Sequence, residues 1–164
     1  MENISMKLIS YLLSLFFINL SVYAKGIDCL FEEVYPSGEI QQGVLLLDND
    51  KLRYEYFDNK LFTILFVNNK LFLINNEDRS QVQIIDDQNN PVPQLIKIYK
   101  DFPDIKNNYS FNGKKFLIEK NNNNFVKRIG INSPKLNLSI YFNQCKISNL
   151  NGNLFNFNPF IEYD

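Results

Sequence analysis

The chain has 164 residues, 45% of them apolar and 21% charged, with a net charge of −1. That length and apolar fraction suit one folded domain with its own core and exclude a disordered chain. Scattered, balanced basic residues leave no electrostatic footprint for nucleic acid, and the absence of histidine excludes His-based triads and His metal ligands.

Residues 1–24 read as a secretory signal. Lys7 precedes an apolar run over 8–20, and Ser21-Val22-Tyr23-Ala24 places Val22 and Ala24 at the positions a signal peptidase reads. An uncleaved membrane anchor is the alternative, although the run is short for a span of about 20 residues. The expected mature chain is 25–164, a single domain outside the cytoplasm, in the periplasm. Cys29 and Cys145 lie near its two ends. In an oxidising compartment an even count points to a disulfide; two buried thiols remain the other reading.

Short apolar runs then follow one another, broken by Asp/Asn clusters. Strands are expected over 29–35, 40–47, 51–57, 61–67, 70–74 and 80–85. In 51–57 the alternation is strict: Leu52, Tyr54 and Tyr56 on one face, Arg53 and Glu55 on the other. One face is therefore expected to be greasy and the other wet. Asn68-Asn69 is a two-residue hairpin signal. The period changes after Asn90-Pro91, which suits a helix cap and first turn. Val92, Leu95, Ile96, Tyr99 and Phe102 recur at helical spacing, Lys97 and Lys100 face outward, and Pro103 ends a helix expected over 91–102. Such a short helix must lay its apolar face on the sheet. Strands resume over 109–111 and 115–119 around Asn112-Gly113, then over 125–131, 136–142, 144–150 and, after a turn at Asn151-Gly152, 154–160. Asparagine runs such as 121–124 are attributed to codon bias.

No glycine-rich phosphate loop and no G-x-S-x-G is present. Glu32-Glu33, Asp86-Asp87 and Asp101 with Asp104 read as solvated surface charge, because adjacent strand residues face opposite ways. No catalytic residue, cofactor or metal is therefore expected. What remains is a large apolar sheet face in a secreted protein. Its expected lining is Leu52, Tyr54, Tyr56, Leu138 and Ile140, with Leu95, Ile96 and Tyr99 above them. The bland alternative is that this face closes as ordinary core.

The order of these segments resembles the periplasmic outer-membrane lipoprotein carrier (LolA-like) family, over roughly residues 31–160. The resemblance rests on Gly43 before a strand, on Lys51-Leu52-Arg53-Tyr54-Glu55-Tyr56, and on the hairpin at Asn68-Asn69. It rests also on Gln81-Val82, on the proline-led helix over 91–98, and on Leu154-Phe155-Asn156-Phe157-Asn158-Pro159. The family's Arg-Pro-Gly before the basic strand is replaced by Asp48-Asn49-Asp50. The resemblance implies a mainly β fold: an unclosed antiparallel barrel, or strongly bent sheet, with a short helix on its concave face. It further implies a monomeric carrier whose partners are lipoprotein acyl chains or other lipid, an inner-membrane exporter and an outer-membrane receptor. A non-enzymatic envelope module that binds or senses lipid or lipoprotein is the alternative on the same fold.

Overall fold

The computed structural model describes residues 26–85, 91–134 and 136–158. The signal segment, Asn90, Asp86-Asp87 and the end of the last expected strand lie outside these. Ten antiparallel strands form one unclosed sheet: β1 (Gly26–Val34), β2 (Ile40–Asp48), β3 (Lys51–Tyr56), β4 (Phe62–Val67), β5 (Lys70–Asn75), β6 (Val82–Ile85), β7 (Asn108–Phe111), β8 (Lys114–Lys120), β9 (Val126–Ser133) and β10 (Leu136–Ser148). The strand order is β6-β5-β4-β3-β2-β1-β10-β9-β8-β7. Asparagine supplies the tight turns, since its short polar side chain tolerates a left-handed backbone. Asn68 and Asn69 both have positive φ between β4 and β5, as do Asn112 and Gly113 between β7 and β8. The asparagine run also has a structural use. The Asn121 side chain accepts the backbone N–H of Asn123 and of Phe125, and Asn124 is left-handed.

Two meanders, β1–β6 and β7–β10, meet where β1 pairs with β10. The segments expected as separate strands over 136–142 and 144–150 are one strand with a bulge. Asp28 pairs with Lys146 and Leu30 with Asn143, so β10 carries one extra residue, and Gln144 takes positive φ. The extra residue reverses the side-chain parity. Leu138, Ile140 and Phe142 before it and Cys145 after it pack on one face. Cys145 thereby meets Cys29 in a disulfide, with Cα atoms 4.2 Å apart. This junction lies inside the sheet; the edges are β6 and β7.

A single α-helix among the described residues, α1 (Val92–Tyr99), covers the concave face. It is shorter at both ends than the expected 91–102: Pro91 is the cap, without a side-chain capping bond, and Phe102 lies in the following turns. Its residues Val92, Leu95, Ile96, Ile98 and Tyr99 join Cys29, Phe31, Leu45, Leu52, Tyr54 and Ile129 in one core. Gly43 sits beneath it because a Cβ there would strike the Glu55 carbonyl oxygen and the Phe31 ring.

The opposite face is not wet. Val44, Leu46, Leu65 and Ile74 form a second core there with Phe155. The expected final strand is instead a 3-10 turn at Gly152–Phe155, with the Asn151 side chain accepting from the Asn153 N–H. Arg53 is fully buried beneath it and Glu55 nearly so. Arg53 Nε donates to Glu55 at 2.6 Å and Nη1 to the carbonyls of Leu154 and Asn156, while Arg79 donates to the other Glu55 oxygen at 2.6 Å. Burial lowers the pKa of Arg53, and the adjacent Glu55 charge opposes that shift. The face expected to be solvated is covered because Arg53 holds the C-terminal turn onto it.

Replacing Cys29 and Cys145 with serine frees a loop spanning 116 residues. Denaturant unfolding is expected to show a loss of about 4–5 kcal/mol on the chain-entropy model. Replacing Arg53 with methionine removes one of the two guanidiniums on Glu55 and leaves the Leu154 and Asn156 carbonyls without their donor. It is expected to cost about 3 kcal/mol and to expose residues 151–158 first to limited proteolysis.

Candidate functional site

The site lies between α1 and the concave face, and it has two ends. At the C-terminal end of α1 an open groove of about 560 Å³ is walled by Ile27, Leu47, Ile96, Tyr99, Phe102 and Ile147. Asn49, Asp50 and Lys100 stand at its polar positions. That volume falls within the range of about 300–1,000 Å³ usual for small-molecule sites. The local sequence explains the walls. Ile27 and Leu47 are paired partners on β1 and β2, and Ile147 faces Ile27 because of the β10 bulge. Tyr99 packs edge-on against Phe142, with centroids 6.2 Å apart. Its buried hydroxyl has no hydrogen-bond partner among the described residues, and burial raises its pKa.

At the N-terminal end of α1 lies a small cavity of about 20 Å³, lined by Glu33, Pro91, Val92, Leu95, Ile131, Leu138 and Ile140. Glu33 is only 4% exposed. Three phenols converge on its carboxylate: Tyr54 donates at 2.7 Å to one oxygen, Tyr35 at 2.6 Å and Tyr56 at 3.0 Å to the other. Phe31 stacks on Tyr54 at 3.8 Å and meets Tyr56 edge-on at 5.4 Å. Burial pushes the pKa of all three phenols upward, and the Glu33 charge adds to the shift. Their hydroxyls therefore stay protonated and act as donors at any ordinary pH.

The eight residues expected to line an acyl-chain face do lie together. Leu52, Tyr54, Leu95, Ile96, Tyr99, Leu138 and Ile140 belong to one core cluster, with Tyr56 packed at its margin. Their accessibility differs. Ile96 and Tyr99 border the open groove, Leu95, Leu138 and Ile140 border the small cavity, and Leu52 and Tyr54 are fully buried. Sequence reasoning missed Ile27, Leu47, Phe102 and Ile147 as groove walls, because their meeting depends on the β1–β2 and β1–β10 registers and on how the chain leaves α1. It also placed Glu33 on the solvated surface. A signal existed: Cys29, Phe31, Glu33 and Tyr35 share one strand face, and three of the four are bulky or apolar.

No group of three or more His, Cys, Asp or Glu side chains is assembled for a metal among the described residues, and no helix there is long and apolar enough to cross a membrane. No protein-family model matches the chain, and no curated protein matches its sequence.

Tyr54→Phe removes one donor from the buried Glu33 carboxylate without opening a large void. It is expected to cost about 1–3 kcal/mol in equilibrium unfolding. The more exposed Tyr35→Phe should cost less.

Proposed function

We propose that the protein is a non-enzymatic periplasmic carrier that holds acyl chains in the groove between α1 and the concave sheet face. Its cargo on this reading is lipoprotein, passed from an inner-membrane exporter toward an outer-membrane receptor. The observation that carries the reading is the open, mostly apolar groove walled by Ile27, Leu47, Ile96, Phe102 and Ile147. Such a wall binds chains without directional chemistry, at about 0.8 kcal/mol for each methylene removed from water. The unclosed antiparallel sheet with a helix on its concave face agrees with the architecture implied by the LolA-like resemblance. A second reading, an envelope module that binds or senses lipid or lipoprotein and does not hand it on, draws on the groove's rim. Asn49 and Asp50 stand there, in the Asp48-Asn49-Asp50 turn that replaces the Arg-Pro-Gly of the family the chain resembles.

Titration with a fluorescent fatty acid tests the shared part of both readings. Ile147 is 47% exposed, so Ile147→Asp should leave stability within about 0.5 kcal/mol of wild type. It places a charge in the groove wall and is expected to weaken binding about tenfold, a difference near 1.4 kcal/mol. Equal binding by both proteins, or none by wild type, would defeat the carrier and the sensor alike. Release of bound lipoprotein to outer-membrane vesicles separates the two, since a sensor retains it.

A further inference from the structure

We propose that the Glu33–tyrosine cluster is a receptor for a primary ammonium head group, so that the preferred ligand of the concave face is a cationic amphiphile. This rests on the reading of that face as an acyl-chain site and names the head group the ligand carries.

The first observation is a buried carboxylate with no cation. Glu33 has no lysine or arginine within salt-bridge distance among the described residues. A buried charge is costly unless it is paired or fully hydrogen-bonded. On the convex face the same sheet pairs its buried carboxylate, Glu55, with two guanidiniums. On the concave face the donors to Glu33 among the described residues are phenols. Two carboxylate oxygens offer about four acceptor sites, of which three are used. Each phenol oxygen, having donated, can still accept.

The second observation is the cavity that Glu33 borders. Its other walls are Pro91, Val92, Leu95, Ile131, Leu138 and Ile140, all apolar. The wall supplied by α1 is short of donors because Pro91 and Pro93 have no N–H. The Gln94 N–H is used by the Pro91 carbonyl. An anion there would face the Glu33 carboxylate, whereas a donor-bearing cation meets its oxygens as acceptors. At about 20 Å³ the space takes one water-sized group. An ammonium fits that size, and a trimethylammonium does not. The alkyl part of the ligand then lies against Leu95, Leu138 and Ile140, with α1 riding outward to admit it.

The test compares decylammonium, decyltrimethylammonium and decanol by isothermal titration of the full secreted chain, each ligand below its micelle concentration. Wild type is expected to bind decylammonium about tenfold or more tightly than either of the others, the gain of a charge-assisted hydrogen bond. Glu33→Gln should bring the ratio of decylammonium to decanol affinity to about one. Near-UV circular dichroism checks that this variant is folded. If it is not, Tyr35→Phe decides, because it removes one phenol at the cluster's exposed side and should lower the ratio several-fold. A wild-type ratio near one, equal binding of the trimethylammonium, or a ratio unchanged by the deciding variant overturns the inference. Decanol binding without ammonium preference would overturn the head-group site and leave the carrier reading standing; binding of none of the three would overturn both.

Discussion

The pairing of β1 with β10 is the constraint on which everything else depends. Without it the chain is two meanders, each with a bare edge at what is now the centre of the sheet. The pairing also carries the bulge at Gln144 and Cys145, where one extra residue reverses which side chains face inward. Before the bulge β10 gives Leu138, Ile140 and Phe142 to the concave core; after it, Cys145 and Ile147 face the same way. A regular strand would have turned Ile147 outward, taken one wall from the groove, and separated the two cysteines.

Each face of the sheet buries an ionisable side chain, and the two are satisfied in opposite styles. On the convex face Arg53 is bound by Glu55 and by main-chain carbonyls of the C-terminal turn, so its hydrogen bonds fasten a segment about 100 residues away. On the concave face Glu33 is bound by two phenols from β3 and by that of Tyr35, just past the end of β1. The first arrangement brings opposite charges into contact and closes its face. The second leaves the carboxylate, among the described residues, without a counter-charge beside the seat of the helix.

Much of the fold was legible in local pattern. The alternation of Leu52, Tyr54 and Tyr56, the asparagine hairpins, and the helical spacing from Val92 to Tyr99 each reflect short-range stereochemistry, and each is found as expected. The errors share a different origin. Arg53 and Glu55 were placed in water because the sequence does not announce that residues 151–157 return to cover them. The continuous apolar run Val44-Leu45-Leu46-Leu47 did signal a strand buried on both faces, and its neighbour β3 had to share that burial. The bulge had no local signature beyond Asn143-Gln144, so the break in pattern was read as the end of a strand. The lining residues expected on the concave face were brought together by the core, while the open groove was built from residues whose meeting depends on register.

The disulfide and the strand pairing around it link residues 116 apart, whereas nearly every other strand contact joins neighbours in sequence. A chain synthesised N-terminus first therefore delivers Cys29 and β1 long before β10 exists to meet them. The hairpins of the first meander can close while β1 keeps one whole side of its backbone unpaired. Non-local pairings pay their loop-closure entropy last. The middle of this sheet is thus the final part to assemble, and throughout that interval β1 is an edge strand whose inward side chains have no partner across the seam.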